Sequence, residues 1–334
     1  MSDTNRVVWS EGLFLRPQHL QQQDRHTDAQ IRGAMLAAQH QNFGFRHLTL
    51  DKAALEAGQV GIDAAQGIFP DGTPFLLPEM TTGLKSAAVT ASTHAGLVML
   101  GIPAIQSGTA TIDPESTGAA GARYLGQIAT VRDTIKGGAD PTEIEVARLA
   151  PRLFLPKAAT DGYSCLPIAR INGLHADGSV ALDAAFLPPA LVTAASPWYA
   201  TFLQEVLTGL DRIRQAHGDI VMRGAGASVE NLLILELANT AHPRIAHMMA
   251  QDVFHPSELF FELAGLAGRM ATFGSSSRRM SELPTYAHDD PQAGFAAIAD
   301  TLRSLILSLR HVEVKSQTLQ VDNPAENGWN VRLD

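Results

Sequence analysis

The sequence predicts an α+β multidomain protein. An N-terminal β-sandwich-like domain with an N-terminal helix is followed by an antiparallel four-helix bundle and the start of an incomplete C-terminal β/α domain. Three observations predict it. Asp-Gly pairs, a strong hairpin signal, occur at Asp71-Gly72, Asp161-Gly162 and Asp177-Gly178 and nowhere later. From Ser196 to Leu309 the apolar residues recur at helical spacing. After His311 the alternation returns to a period of two. The expected boundaries are 1–190, 191–311 and 312–334.

Taken in order, Pro17 to Gln41 is predicted as one helix. Pro17 suits its first turn, Leu20, Thr27, Ile31, Ala34 and Ala38 mark one face, and Gly44 follows its end. Short apolar or β-branched runs then predict strands at Gly67 to Phe69, Phe75 to Leu77, Leu97 to Ile102, Tyr124 to Val131, Ile144 to Leu155 and Leu166 to Leu174. Pro188-Pro189 closes this region. Ser196-Pro197 opens the first bundle helix as cap and first-turn proline, and Phe202, Leu203, Val206, Leu207, Leu210 and Ile213 form its stripe. A second helix is expected over Val229 to Gln251, kinked or broken by Pro243. A third starts at Pro256 and a fourth after Asp290-Pro291. Val312 and Val314 read as a strand, and Trp329 to Leu333 as its return after the Asn327-Gly328 turn.

Composition narrows the function. With 334 residues and 45% hydrophobic content, the chain can fill more than one core. A net charge of −9 without a Lys/Arg run argues against nucleic acid and anionic membranes as partners. A lone Cys165 cannot form an internal disulfide. Nothing resembles a signal peptide, and no apolar run approaches the ~18 residues of a membrane span. A soluble cytoplasmic protein without membrane insertion is expected.

The motifs with chemical potential are few. In "GYSCL", Gly162 to Leu166, Leu166 stands where a nucleophile elbow needs its second glycine, so Ser164 reads as a hairpin serine. Gly224-x-Gly226 imitates a dinucleotide loop, but Val229 occupies the third glycine position and the surroundings are helical. It reads as a loop capped by Ser228. A nucleotide-binding or hydrolytic enzyme built on Gly224/Gly226 or Ser164 is the alternative function. His19 and His26 share a helix face, short of a metal-ligand set. No catalytic residue, cofactor or metal is expected.

The most distinctive stretch lies at the start. "WSEGLFLRPQHLQQQDR", Trp9 to Arg25, resembles the N-terminal hallmark of the TssK family, also called VasE or ImpJ, the baseplate subunit of bacterial type VI secretion systems. "LTLDKAALEAGQVGIDAAQGIFPDGTPFLLP", Leu48 to Pro78, and "HPSELFFELAGLAGRM", His255 to Met270, are similar to later blocks of that family. The resemblance implies a β-rich shoulder, a helical neck and a C-terminal head, an architecture like that of phage receptor-binding proteins; a phage tail protein is therefore a further alternative. It implies a non-enzymatic homotrimer whose shoulder binds the TssF–TssG wedge and whose head contacts TssL and TssM. The chain departs from the pattern at its end, where the head would begin, so docking to the membrane complex is expected of that largely missing head. Trp9, Glu11, Phe14, Arg16, Gln18 and His19 are the candidate wedge-binding residues, with Trp9 and Phe14 expected to pack into the shoulder on one side.

Overall fold

A computed structural model describes residues 4–38, 41–90, 92–106, 109–117, 121–135, 141–224, 228–251 and 253–310, and the backbone of 320–321 and 331–332. It begins with helix α1 (Pro17–Ala38) and strand β1 (Gly44–Leu50), then a one-turn helix α2 (Lys52–Glu56) that Asp51 caps by accepting from the Ala54 N–H at 3.0 Å. Eleven strands follow: β2 (Gln59–Val60), β3 (Ile62–Ile68), β4 (Pro74–Leu77), β5 (Ala87–Ala88), β6 (Gly96–Pro103), β7 (Ile112–Asp113), β8 (Tyr124–Val131), β9 (Thr142–Leu149), β10 (Arg152–Phe154), β11 (Tyr163–Leu174) and β12 (Val180–Leu182).

Two sheets supply the β core. One has the order β1-β3-β4 and the other β10-β6-β11-β12, both antiparallel. Phe45 and Phe75 from the first sheet, with Phe69 at its edge, share a buried cluster with Val98, Leu100, Ile102, Leu166, Ile168 and Ile171 from the second. A third sheet, β7-β8-β9, projects from this body, and the distal half of its β8–β9 ladder is mostly exposed.

The Asp-Gly pairs divide. Gly72 (φ 85°) turns β3 into β4, and Gly178 (φ 87°) turns β11 into β12, both as hairpins. Asp161-Gly162 also turns the chain, with Gly162 at φ 78°, but the flanking strands β10 and β11 are not paired. Strand β6 lies between them. The local turn chemistry is the same in all three cases, and a long-range partner decides the third.

Four helices follow: α3 (Pro197–Arg223), α4 (Val229–Gln251), α5 (Pro256–Gly274) and α6 (Pro291–Arg310). Ser196 caps α3 by accepting from the Trp198 N–H, and His255 caps α5 by accepting from the Ser257 N–H. Of the kink or break expected at Pro243, the break does not occur: α4 runs through it from Val229 to Gln251. Its missing N–H costs one helical hydrogen bond, while Ala241 and Ile245 on either side are buried in the bundle core and keep the segment seated.

The expected all-antiparallel arrangement is also corrected. Helix α4 does run antiparallel to its neighbours: Arg214 bonds Asn239 while His217 bonds Asn231, and Arg244 pairs with Glu262 while Arg269 pairs with Glu236. Helix α6 runs parallel to both of its neighbours. Glu205 pairs with Arg303, Gly209 meets Ile306 and His217 meets the Leu309 carbonyl, so the numbers rise together. Likewise Phe260 faces Gly294, and Gly274 faces Ser308. The connection from Ser275 to Asp290 therefore returns along the bundle, with Met280, Leu283 and Tyr286 packed on the helical core. A stripe of apolar residues specifies a buried face but not the direction of the neighbour.

The link from the strands to the helices is buried rather than loose. Leu187, Ala190, Val192, Thr193 and Ala195 are all buried. The Phe45 N–H donates to the Pro189 carbonyl at 2.9 Å, and the Leu191 N–H returns to the Phe45 carbonyl at 2.8 Å. Gly44, at φ 115°, permits this approach: a Cβ there would lie 2.6 Å from the Pro189 carbonyl carbon. Strands β13 (Gln320–Val321) and β14 (Val331–Arg332) pair antiparallel. The expected strand at Val312 and Val314, and the turn at Asn327-Gly328, lie outside the described residues. Among the described residues no helix is long and apolar enough to cross a membrane.

Candidate functional site: an exposed N-terminal strap

Residues 4–16 fold back along α1. Thr4 offers its carbonyl to His26 Nδ1 at 2.9 Å, Asn5 offers its carbonyl to Gln22 Nε2 at 2.6 Å, and the Trp9 ring stands 6.3 Å from the His19 ring. The partners descend along α1 as the strap advances, so strap and helix are antiparallel. Gly12, at φ 79°, lies in the turn that joins them. The Arg16 N–H donates to His19 Nδ1 at 3.0 Å, which gives the first turn of α1 a cap supplied by an imidazole.

The strap is not a core element. Trp9 is 51% exposed and Phe14 81%, which corrects the expectation that both pack into the shoulder. No residue of α1 is buried. Val8, Leu13, Leu15, Leu20, Ile31 and Leu36 are exposed as well. The physical reason is layering. The β core is built from its own two sheets and includes no residue of α1, so the aromatic residues of the strap and the apolar residues of α1 have no second layer above them. Glu11, Arg16 and Gln18 are exposed and His19 is half-buried, so all six candidate residues sit on one continuous segment around the α1 N-terminus.

The other candidates fall apart. Ser164 lies within β11, opposite Ile102, and its hydroxyl accepts from the Asp71 N–H at 3.3 Å. It sits in an antiparallel ladder, without the strand-to-helix turn of a nucleophile elbow. Gly224, at φ 71°, ends α3, and Gly226 lies outside the described residues. Ser228 caps α4 by accepting from the Asn231 N–H at 3.2 Å. Among the described residues no group of three or more His, Cys, Asp or Glu is placed to hold a metal ion.

Several functional-looking contacts were not legible in the sequence. Arg123 is 1% exposed, pairs with Asp71 at 2.6 Å and also donates to Thr73 Oγ1 and the Pro103 carbonyl. It ties the β3–β4 turn to the end of β6. Arg170 donates to Gln292 Oε1 at 2.7 Å, and Gln292 reaches Asp183 at 3.2 Å, joining β11 to α6. His255 and His288, which read as helix punctuation or not at all, are buried together against the segment after α1. A groove of about 420 Å³ runs between α3 and α6, floored by Phe202, Val206, Leu302 and Ile306 and edged by Arg212 and Arg310.

The fold is a mixed α+β architecture with an exposed N-terminal strap, and comparison with known proteins gives the class. Residues 19–334 match the family described as bacterial type VI secretion, VC_A0110, EvfL, ImpJ, VasE. The type VI secretion system baseplate component TssK1 of Pseudomonas aeruginosa PAO1 is 37% identical over 312 residues, spanning 92% of this chain and 70% of that protein. A crystal structure of TssK superposes with a TM-score of 0.84 at 28% identity, over 91% of this chain and 72% of that one. The fold is shared with a chain of a TssK–TssF–TssG baseplate subcomplex, with a TM-score of 0.80 at 24% identity over 91% of this chain and 99% of that one. The chain belongs to the TssK family of type VI secretion baseplate components.

Proposed function

We propose that this chain is a non-enzymatic structural adaptor of the type VI secretion baseplate that binds a TssF–TssG wedge through its N-terminal strap. The observation that carries the reading is the exposure of Trp9 and Phe14 on a segment ordered by hydrogen bonds to α1. Rigid aromatic anchors of this kind dominate protein interfaces because they bury much area at little entropic cost. Glu11, Arg16, Gln18 and His19 would form the polar rim around them. A protein solved in a TssK–TssF–TssG baseplate subcomplex shares the fold, which supports the choice of partner.

Three bodies are proposed: a shoulder over 1–190, a neck over 191–311 and a head opening at 312–334. The two separate buried clusters, one of strand residues and one of helix residues, support the first two. A homotrimer is proposed, with further copies covering the α3–α6 groove, where Leu307 is 52% exposed. Through a head, such a protein would link the baseplate to TssL and TssM at the cytoplasmic face of the inner membrane.

Co-purification with TssF–TssG tests the strap. Trp9→Ala/Phe14→Ala should lose wedge binding, and wedge capture equal to that of the unmodified chain would overturn the assignment. Light scattering tests the trimer, and a monomer at every concentration would overturn that part.

A further inference from the structure

We propose that His255 and His288 form a latch that fixes the direction in which α1 and the strap leave the body. The functional half of this inference rests on the strap being the docking surface; the latch itself rests on geometry alone.

One imidazole stands at the start of α5 and the other near the end of the returning connection, and they meet face to face. His255 caps α5, and His288 stands just ahead of α6. Their rings stack at 4.9 Å with 26° between planes, and they are 5% and 4% exposed. Each Nε2 reaches a backbone carbonyl of the segment that follows α1: Gln41 at 3.0 Å from His255, Phe43 at 2.7 Å from His288. The Phe43 ring also meets His288 edge-on at 4.6 Å.

Hydrogen-bond accounting sets the tautomers. A carbonyl only accepts, so both Nε2 atoms carry hydrogen. His255 Nδ1 accepts the Ser257 N–H at 3.2 Å, so it carries none, and His288 Nδ1 takes the Tyr286 hydroxyl at 2.8 Å. Both rings are thus neutral and satisfied at both nitrogens. A proton added to His255 Nδ1 would face the Ser257 N–H and remove the α5 cap. Protonating both rings would set two cations 4.9 Å apart in a buried place. Burial pushes both pKa values down, against the pull of Glu258 on His255 and of Asp289 on His288. Among the described residues Tyr286 is the other titratable group in contact with the pair; Gln41 and Phe43 contribute no charge.

The position gives the latch leverage. Gln41 and Phe43 follow the end of a 22-residue helix, about 33 Å long at 1.5 Å per residue, so a 10° change in its direction moves the tip by about 6 Å. Farther along, the Arg32 stem lies over Gly72. Two carbonyls held two residues apart define a direction, where a single bond would allow rotation about it.

The test uses the full chain with Cys165→Ser and spin labels at Asp28→Cys on α1 and Gln215→Cys on α3. His255→Asn still caps α5 but cannot reach the Gln41 carbonyl. His288→Phe keeps a ring against Phe43 and removes the donor. At pH 7.5 the unmodified latch should give one narrow distance distribution, and the double variant one at least twofold broader. His255→Gln, whose amide can donate to Gln41, should restore the narrow form in the His255 series. Acidification to pH 5 should broaden the unmodified chain and leave the double variant unchanged. A distribution as narrow in the double variant as in the parent overturns the latch, and each single variant gives the same reading if the double variant does not fold. Broadening together with a roughly tenfold loss of TssF–TssG capture supports both halves. Broadening with undiminished capture sustains the latch and overturns the docking role of the strap.

Discussion

The Cβ that Gly209 lacks would sit 2.7 Å from Cγ2 of Ile306, so α3 and α6 pack tightly at this pair. Ile306 is β-branched and stiff at χ1, so it cannot easily turn aside. Gly209→Ala gains helix propensity of up to ~1 kcal/mol but overpacks a fitted contact, which costs ~1–3 kcal/mol. A net loss of about 1 kcal/mol in denaturant unfolding is expected. Ile306→Ala should abolish that penalty in the double variant, a coupling that a thermodynamic cycle reads directly.

Arg123 is the buried cation whose removal should be felt most in the β region. It pairs with Asp71, which is only 25% exposed, and holds two further oxygens. Arg123→Met strands those acceptors, and breaking a buried pair from one side costs ~3–5 kcal/mol. Adding Asp71→Asn should recover part of the loss, since the unpaired charge is then gone. Equal stability of the single and double variants would show that the carboxylate is solvated after all.

Exposure predicts a different outcome for the strap. Trp9→Ala and Phe14→Ala should change the melting free energy by no more than about 0.5 kcal/mol, as surface substitutions do. A loss of several kcal/mol would mean that they are core residues. His19→Ala is set apart from Glu11→Ala and Gln18→Ala because His19 Nδ1 accepts the Arg16 N–H. It should cost about 1 kcal/mol, as a lost helix cap does.

Limited proteolysis should spare 187–196 and attack exposed loops. The connector is buried and hydrogen-bonded to β1, whereas Arg132, Arg278 and Arg279 are exposed. Trypsin should cut first at those arginines, with sites read by mass spectrometry. Early cleavage within 187–196, by a protease of broad specificity, would contradict the packed joint.

Stability should depend on pH through His255 and His288. Their folded pKa values lie below the ordinary 6.5, so the unfolded chain binds more protons just below that pH. Their contribution is complete above about pH 6.5 and is lost as pH falls from there through the folded values. Denaturation midpoints between pH 7.5 and 5 should decline for the unmodified chain and decline less for His255→Asn/His288→Phe.

Much of the fold was legible because its signals are local. Ser196-Pro197, His255-Pro256 and Asp290-Pro291 mark three helix starts, since a cap and a first-turn proline act within a few residues of chain. The Asp-Gly turns at Gly72 and Gly178 likewise need only a positive φ. The blocks resembling the TssK family were legible as well, because a stretch such as Trp9 to Arg25 keeps its order whatever it packs against.

The sequence by itself determined where the four bundle helices begin, which of their faces are apolar, and to which family the chain belongs. Only the tertiary structure decided that β6 lies between β10 and β11, that α6 runs parallel to α3 and α5, and that Pro243 sits inside an unbroken helix. It also decided that Trp9 and Phe14 face outward while His255 and His288 are buried on carbonyls more than two hundred residues away. The reason is the range of the forces. Backbone propensity and capping act over a few residues, whereas burial depends on which distant surface arrives, and an amphipathic stripe accepts a partner of either direction.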